Sequence, residues 1–208
     1  MIGVDASVLT LILNEEADAP PDPNTGKPIE RVRDRVDFWI QDLHKNKQKI
    51  IIPTPALSEV LVRAGPGGLQ YVDILQKAAV FDIRDFDKLA AVELALMTQQ
   101  AIKSGGKKSG SKEPWQKIKL DRQIVAICKV AGVDTLYAMD PSLAAFAKTS
   151  GMDVKGVHEL PLPPESPQLT MDKWLEVAAQ EGVPDEPKPE DIEPDEPEKE
   201  PEPPPGSS

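Results

Sequence analysis

Four acidic residues stand at places where an α/β chain could use them together: Asp5, Glu59, Asp121 and Asp140. Asp5 closes the short apolar run Ile2-Gly3-Val4, and Glu59 lies in the helix-like stretch after Ile50-Ile51-Ile52. Asp121 leads the helically spaced apolar residues Ile124, Ile127, Cys128 and Ala131, and Asp140 ends a second apolar run just before Pro141. Gathered in one cleft, four carboxylates repel, so either some stay protonated or a cation balances them. A hard divalent ion such as Mg²⁺ or Mn²⁺ suits an all-oxygen donor set. Such an ion polarises a phosphodiester and lowers the pKa of a water for in-line attack. Acids alone can therefore run phosphodiester hydrolysis, with neither Ser nor His as nucleophile. The alternatives are thin: His44 and His158 are the only histidines, and the single Cys128 excludes an intrachain disulfide and a multi-Cys zinc site.

Each acid also has an ordinary structural reading. Asp5 and Asp140 sit where helix N-caps belong, and Asp140-Pro141 is a strong cap on propensity alone. Asp121 suits a helix N-terminus through the macrodipole, and Glu59 can pair with Arg63 one turn later. An amide at Asp5 or Asp140 would keep a cap but lose the charge, so Asn there is expected to spare the fold.

The elements that must position these acids follow from the spacing. Ile2–Val4 reads as a first strand and Ser7–Leu13 as a helix; residues 14–27, rich in Pro, Asp and Gly, read as an exposed insertion. Residues 28–46 return to helical spacing with Pro28 at the start. Ile50–Ile52 is continuous, β-branched and apolar, as in a buried parallel strand, and Thr54-Pro55 supplies an N-cap and first-turn proline for a helix to about Arg63. A short helix over residues 69–76, a strand over 79–83, and a helix capped by Asp85 come next. Residues 104–112 contain only Gly, Ser and Lys and read as a loop. A helix led by Asp121, a strand over 134–140, a helix from Pro141 to about Ser150 and a strand over 154–157 complete the body. Strands and helices alternate, which predicts an α/β fold, a mostly parallel sheet covered on both faces.

Around the 104–112 loop, Lys103, Lys107, Lys108, Lys112, Lys117, Lys119 and Arg122 crowd together, with Glu113 the only acid over residues 103–120. Such a cluster beside an acidic site could hold phosphate backbones without reading sequence, and Trp115 could stack on an unpaired base. The ordinary alternative is a solvated loop with its Trp anchored on the body.

The chain has 208 residues and a formal net charge of -11. From Glu181 to Ser208, eleven acids face two lysines, so the charge is concentrated in the tail and the body is close to neutral. Residues 161–180 read as a Pro-rich linker with a short amphipathic helix near Met171–Gln180, and 181–208 as a disordered acidic tail with little to bury. No apolar run approaches the ~20 residues of a membrane helix, and Asp5 leaves no room for a secretory signal. A cytoplasmic, reduced setting is the expectation.

Ile2-Gly-Val-Asp5-Ala-Ser, Thr54-Pro-Ala-Leu-Ser-Glu59-Val-Leu, Asp121-Arg-Gln-Ile-Val-Ala-Ile and Tyr137-Ala-Met-Asp140-Pro-Ser-Leu together resemble, in order, the PIN-domain pattern. The resemblance covers residues 1–160. It implies a three-layer α/β/α domain with an about five-stranded sheet, and a Mg²⁺- or Mn²⁺-dependent ribonuclease whose catalytic and metal-binding quartet maps onto Asp5, Glu59, Asp121 and Asp140. It further implies an RNA substrate, and, as in many members, a toxin of a toxin–antitoxin pair with an antitoxin protein partner and a homodimer. Two departures stand out: Ser142 occupies a place where many members carry Asp or Asn, and the 14–35 segment is longer and richer in proline than in small toxins. A PIN-like module that binds RNA or protein without cleaving is the alternative. A receiver-type phosphoacceptor or a haloacid-type phosphatase fits less well, because Asp5-Ala6-Ser7 lacks the paired acids that either wants after strand 1.

Overall fold

The computed structural model describes residues 1–108 and 111–164; the expected linker helix and acidic tail lie outside the described residues. Five strands form one sheet: β1 (Ile2–Val4), β2 (Ile50–Pro53), β3 (Phe81–Arg84), β4 (Thr135–Tyr137) and β5 (Asp153–Lys155). They run in the order β3-β2-β1-β4-β5, and every pairing is parallel. The helices are α1 (Ala6–Leu13), α2 (Val32–Lys45), α3 (Thr54–Ala64), α4 (Gly68–Lys77), α5 (Lys88–Lys103), α6 (Trp115–Val130) and α7 (Pro141–Thr149). The α/β class and the five-stranded parallel sheet agree with expectation. Parallel neighbours need crossovers, and helices supply them.

Ile50, Ile51 and Ile52 are all fully buried. Successive strand residues point to opposite faces, so both faces of the sheet are covered. Val4, Leu136, Val125 and Cys128 extend the same core. β1 is central, and Gly3 is its tightest point. A Cβ there would lie 2.8 Å from Cys128 Sγ and 3.2 Å from both Leu136 Cδ1 and Val133 Cγ1. The glycine lets α6 approach the central strand, and α6 carries Asp121.

Several boundaries differ from the sequence reading. The helix expected over 28–46 begins at Val32. Pro28 instead forms an antiparallel bridge to Pro21, closed by Asp22 N–H donating to Lys27 O and Ile29 N–H to Pro20 O. Burial of Ile29 anchors this turn, and Arg31 enters the helix from a left-handed conformation (φ 51°). Thr54 is the first residue of α3, and Pro53 holds the cap position without a side-chain bond. Asp87, not Asp85, caps α5, accepting from Ala90 N–H at 2.8 Å. The loop before Asp121 ends earlier than expected, because Pro114 takes the cap position of α6 and Ile118 in its first turn is buried. Asp121 is therefore in the second turn of α6 rather than at its N-terminus.

Gly3→Ala should destabilise the protein by about 1–3 kcal/mol through overpacking. Adding Cys128→Ala should recover part of that loss, giving a favourable coupling in a double-variant cycle followed by urea unfolding. Strictly additive losses would show that the Cys128 contact is not the limiting one.

Candidate active site

Asp5 occupies the junction of β1 and α1 and is 2% exposed. Its backbone N–H donates to Tyr137 O at 3.0 Å, extending the sheet ladder toward β4. Its Oδ1 accepts from Val8 N–H at 2.7 Å and caps α1, while its Oδ2 accepts from Met139 N–H at 2.8 Å. One carboxylate thus joins the start of α1 to the end of β4. Burial pushes this carboxyl above the ordinary aspartate range; the N–H donors of Val8, Met139 and Asp140 oppose that rise, and the nearby Asp140 charge adds to it.

Asp140 repeats the arrangement at the β4–α7 junction. Its Oδ1 accepts from Leu143 N–H at 2.9 Å and caps α7. Its Oδ2 accepts from Lys117 Nζ at 2.8 Å. Lys117 lies one turn before Asp121 on α6, and the same ammonium donates to Asp121 Oδ2 at 3.2 Å. A single lysine therefore bridges two of the four acids. Burial works upward on Asp140, but Lys117 and the N–H groups of Leu143 and Ser142 outweigh it and hold the carboxyl below the usual range. For Asp121 burial wins: its carboxyl is raised against the pull of Lys117, with the Asp140 and Glu59 charges adding to the rise. Partial burial acts to lower Lys117, yet the two carboxylates prevail and hold it above the ordinary lysine value.

Glu59 stands apart in its hydrogen bonding. It is half exposed and accepts from Arg63 at 2.6 Å, four residues on along α3. Its charge still reaches Asp121. Among the described residues no three acidic, imidazole or thiol side chains converge on one point that could hold a metal ion. Asp121 and Asp140 form the convergent pair, Asp5 stands behind Asp140, and Glu59 faces Arg63.

The donor chemistry nevertheless fits a hard divalent ion. Mg²⁺ commonly takes one or two carboxylates and completes its shell with water and substrate phosphate. The Lys117 ammonium marks a point where the fold already sets a cation between two carboxylate oxygens.

The basic cluster divides. Lys103, Lys107, Lys112 and Lys119 are exposed. Lys108 is partly buried, and its ammonium donates to Glu113 O at 2.9 Å. Lys117 belongs to the acidic site. Arg122 requires a correction as a phosphate-binding residue: it is 1% exposed, with its guanidinium 4.9 Å from the Phe146 ring centroid and 5.6 Å from that of Trp115. A planar guanidinium sandwiched by aromatics serves the packing of α6 on α7. Trp115 is correspondingly half-buried, and Lys107 also lies over its ring at 5.0 Å, so the ring is not a bare stacking platform. Lys117, expected with the basic loop, instead pairs with both acids, and only its i,i+4 spacing to Asp121 signals one of these partners in the chain.

A cleft of about 400 Å³ opens beside Asp121, lined also by Ser142, Ile118 and Phe146. No helix among the described residues is long and apolar enough to cross a membrane.

The expectation that Asn at Asp5 spares the fold needs revision. Asp5 offers two oxygens to two separate N–H donors, whereas an amide has one acceptor and would turn its NH₂ toward the other donor. Asp5→Asn should cost about 1–3 kcal/mol, the penalty of an orphaned buried donor. Asp140→Asn keeps the Leu143 cap and loses only a partly exposed ion pair, so about 0–1 kcal/mol is expected. Thermal and urea unfolding of both variants measure the difference; equal stabilities would contradict the double-acceptor role of Asp5.

Comparison with known proteins returns structural likeness only. No protein-family profile and no curated protein matches the chain. Among solved structures, it is similar to the DNA-bound VapBC of Salmonella typhimurium (14% identity, 75% of this chain and 97% of that one, TM-score 0.45). It is similar also to VapBC2 of Rickettsia felis bound to a promoter DNA fragment (14% identity, 75% and 98%, TM-score 0.48). A third is the Mycobacterium tuberculosis VapC20, a Sarcin-Ricin loop cleaving toxin (15% identity, 70% and 94%, TM-score 0.41).

Proposed function

We propose that this chain is a Mg²⁺- or Mn²⁺-dependent endoribonuclease that hydrolyses RNA phosphodiester bonds at the edge where the strands end. The observation that carries the reading is the Asp121–Lys117–Asp140 bridge. Two carboxylates, one on α6 and one at the cap of α7, point at one place, and the fold balances them there with a positive charge. In this reading Asp121 and Asp140 hold the metal, with Asp5 and Glu59 completing the acidic quartet. The ion, when bound, supplies Lewis-acid polarisation of the phosphate and a more acidic water.

The chain's own residues do the rest. Asp5 fixes the β1 and β4 ends so that Asp140 faces α6. Asp140, pinned by its cap on Leu143, offers Oδ2 to the cation. Asp121 offers Oδ1, the oxygen that Lys117 does not engage, as a further donor atom of the site. The cleft beside Asp121 gives a flanking nucleobase an apolar wall at Phe146, and the exposed Lys107, Lys112 and Lys119 supply backbone contacts.

The toxin role, an antitoxin partner, a homodimer and a cytoplasmic setting are extensions that the resemblance to PIN domains supplies. The second reading, a module that binds RNA or protein without cleaving, draws on the outward pairing of Glu59 with Arg63, which leaves that acid engaged elsewhere.

Asp140→Asn should lower cleavage of a labelled single-stranded RNA by two or more orders of magnitude at saturating Mg²⁺, as expected when a group central to charge stabilisation is lost. Wild-type protein should likewise stop in excess EDTA. Undiminished cleavage by the variant would falsify the quartet; a wild type that binds RNA but never cuts it supports the binding module.

Binding measured in the Asp140→Asn background tests the basic surface. Changing Lys107, Lys112 and Lys119 to Gln should reduce the log–log salt dependence by about 0.7 per lost phosphate contact. An unchanged slope would make these lysines an ordinary solvated surface.

A further inference from the structure

The bridging lysine is not accounted for by the proposed chemistry. Lys117 Nζ lies 2.8 Å from Asp140 Oδ2 and 3.2 Å from Asp121 Oδ2. Asp140 Oδ1 is committed to its cap on Leu143, so a divalent ion held by these two carboxylates would compete with Lys117 for Asp140 Oδ2. The acids are held in place and the amine is not. Asp140 is pinned by its cap on Leu143, and Asp121 sits on the inner side of α6 with its side chain 16% exposed. Lys117 reaches the pair through a flexible four-carbon stem and is 36% exposed, more than either acid it bridges.

We propose that Lys117 is a tethered counter-cation that holds Asp121 and Asp140 together in the metal-free site and is displaced when a divalent ion binds, so that metal affinity is set by competition with this side chain. The inference rests on the endoribonuclease reading for its metal and adds a residue that tunes how readily the ion enters. Its physical logic is charge balance. Without a cation, the two carboxylates facing each other repel. One ammonium balances part of that charge at low cost because it is covalently supplied. A doubly charged ion with compact coordination displaces it, whereas a monovalent ion gains too little to do so.

The competition has a sign. Lys117→Gln removes the competing charge, so the variant should bind Mn²⁺ more tightly, by roughly tenfold in Kd, the scale of one charge-assisted hydrogen bond at a partly exposed site. The metal-free variant should also melt at a lower temperature than wild type and gain more on adding Mn²⁺, because its acids are left unbalanced until the ion arrives. Lys117→Arg keeps the charge and should bind Mn²⁺ no more tightly than wild type. The measurement is calorimetric titration of the full chain with MnCl₂, paired with melting in EDTA and in Mn²⁺.

Tighter binding by the Gln variant, with no tightening in the Arg variant, supports the proposal. Wild type that binds Mn²⁺ saturably while the Gln variant binds equally or more weakly overturns it and leaves the metal-dependent reading standing. Equal tightening by Gln and Arg also overturns it, because the effect would then not follow charge. Absence of saturable binding in all three proteins overturns the metal reading itself, and the proposal with it.

Discussion

The geometry of the acidic edge depends on one buried carboxylate. Asp5 ends the central strand, and its two oxygens accept from two different chain segments, Val8 N–H at the start of α1 and Met139 N–H just after β4. In a parallel sheet, neighbouring strands are not joined by a hairpin, so nothing local sets how the ends of β1 and β4 meet. Asp5 supplies that link. The link is costly, since burial disfavours the charge, and the N–H donors offset much of the cost. Asp140 follows directly after the segment that Asp5 holds, and its direction toward α6 is set by this bond.

The edge then shows how the same residue type is shifted in opposite directions at neighbouring positions. Asp5 is buried among backbone donors and is raised. Asp121 is half withdrawn into α6 and is raised despite its lysine. Asp140, the more exposed of the two acids on Lys117, is lowered. The ordering follows the balance between desolvation and pairing. Lys117 sharpens the split, because its shorter contact goes to Asp140.

The positive charges around the 104–112 loop are likewise sorted by the fold. Arg122 goes inward under Trp115 and Phe146, Lys117 goes to the acids, and Lys107, Lys112 and Lys119 remain at the surface. The guanidinium suits a sandwiched position because it is planar and weakly hydrated, whereas a lysine ammonium needs a carboxylate or water. On the strand side, the missing side chain of Gly3 leaves room for Cys128 of α6 against β1.

Much of this was legible in the chain itself. The alternation of β-branched runs with helically spaced apolar residues determined the α/β class, because period and burial are local consequences of residue type. The four acids at strand and helix ends were legible for the same reason, and so were the caps of Asp5 and Asp140 and the Glu59–Arg63 pair, which act over one helical turn. Boundaries failed where tertiary contacts outweighed propensity: Pro28 was drawn into a bridge with Pro21, and Pro114 with buried Ile118 began α6 ahead of Asp121. Only the tertiary structure decided that Asp5 bonds Met139, 134 residues away, that Lys117 joins Asp121 to Asp140, and that Arg122 is buried. Those outcomes depend on which charged groups meet across crossovers and on what surrounds them when they do, and the free energy of a charge is set by its surroundings rather than by its place in the sequence.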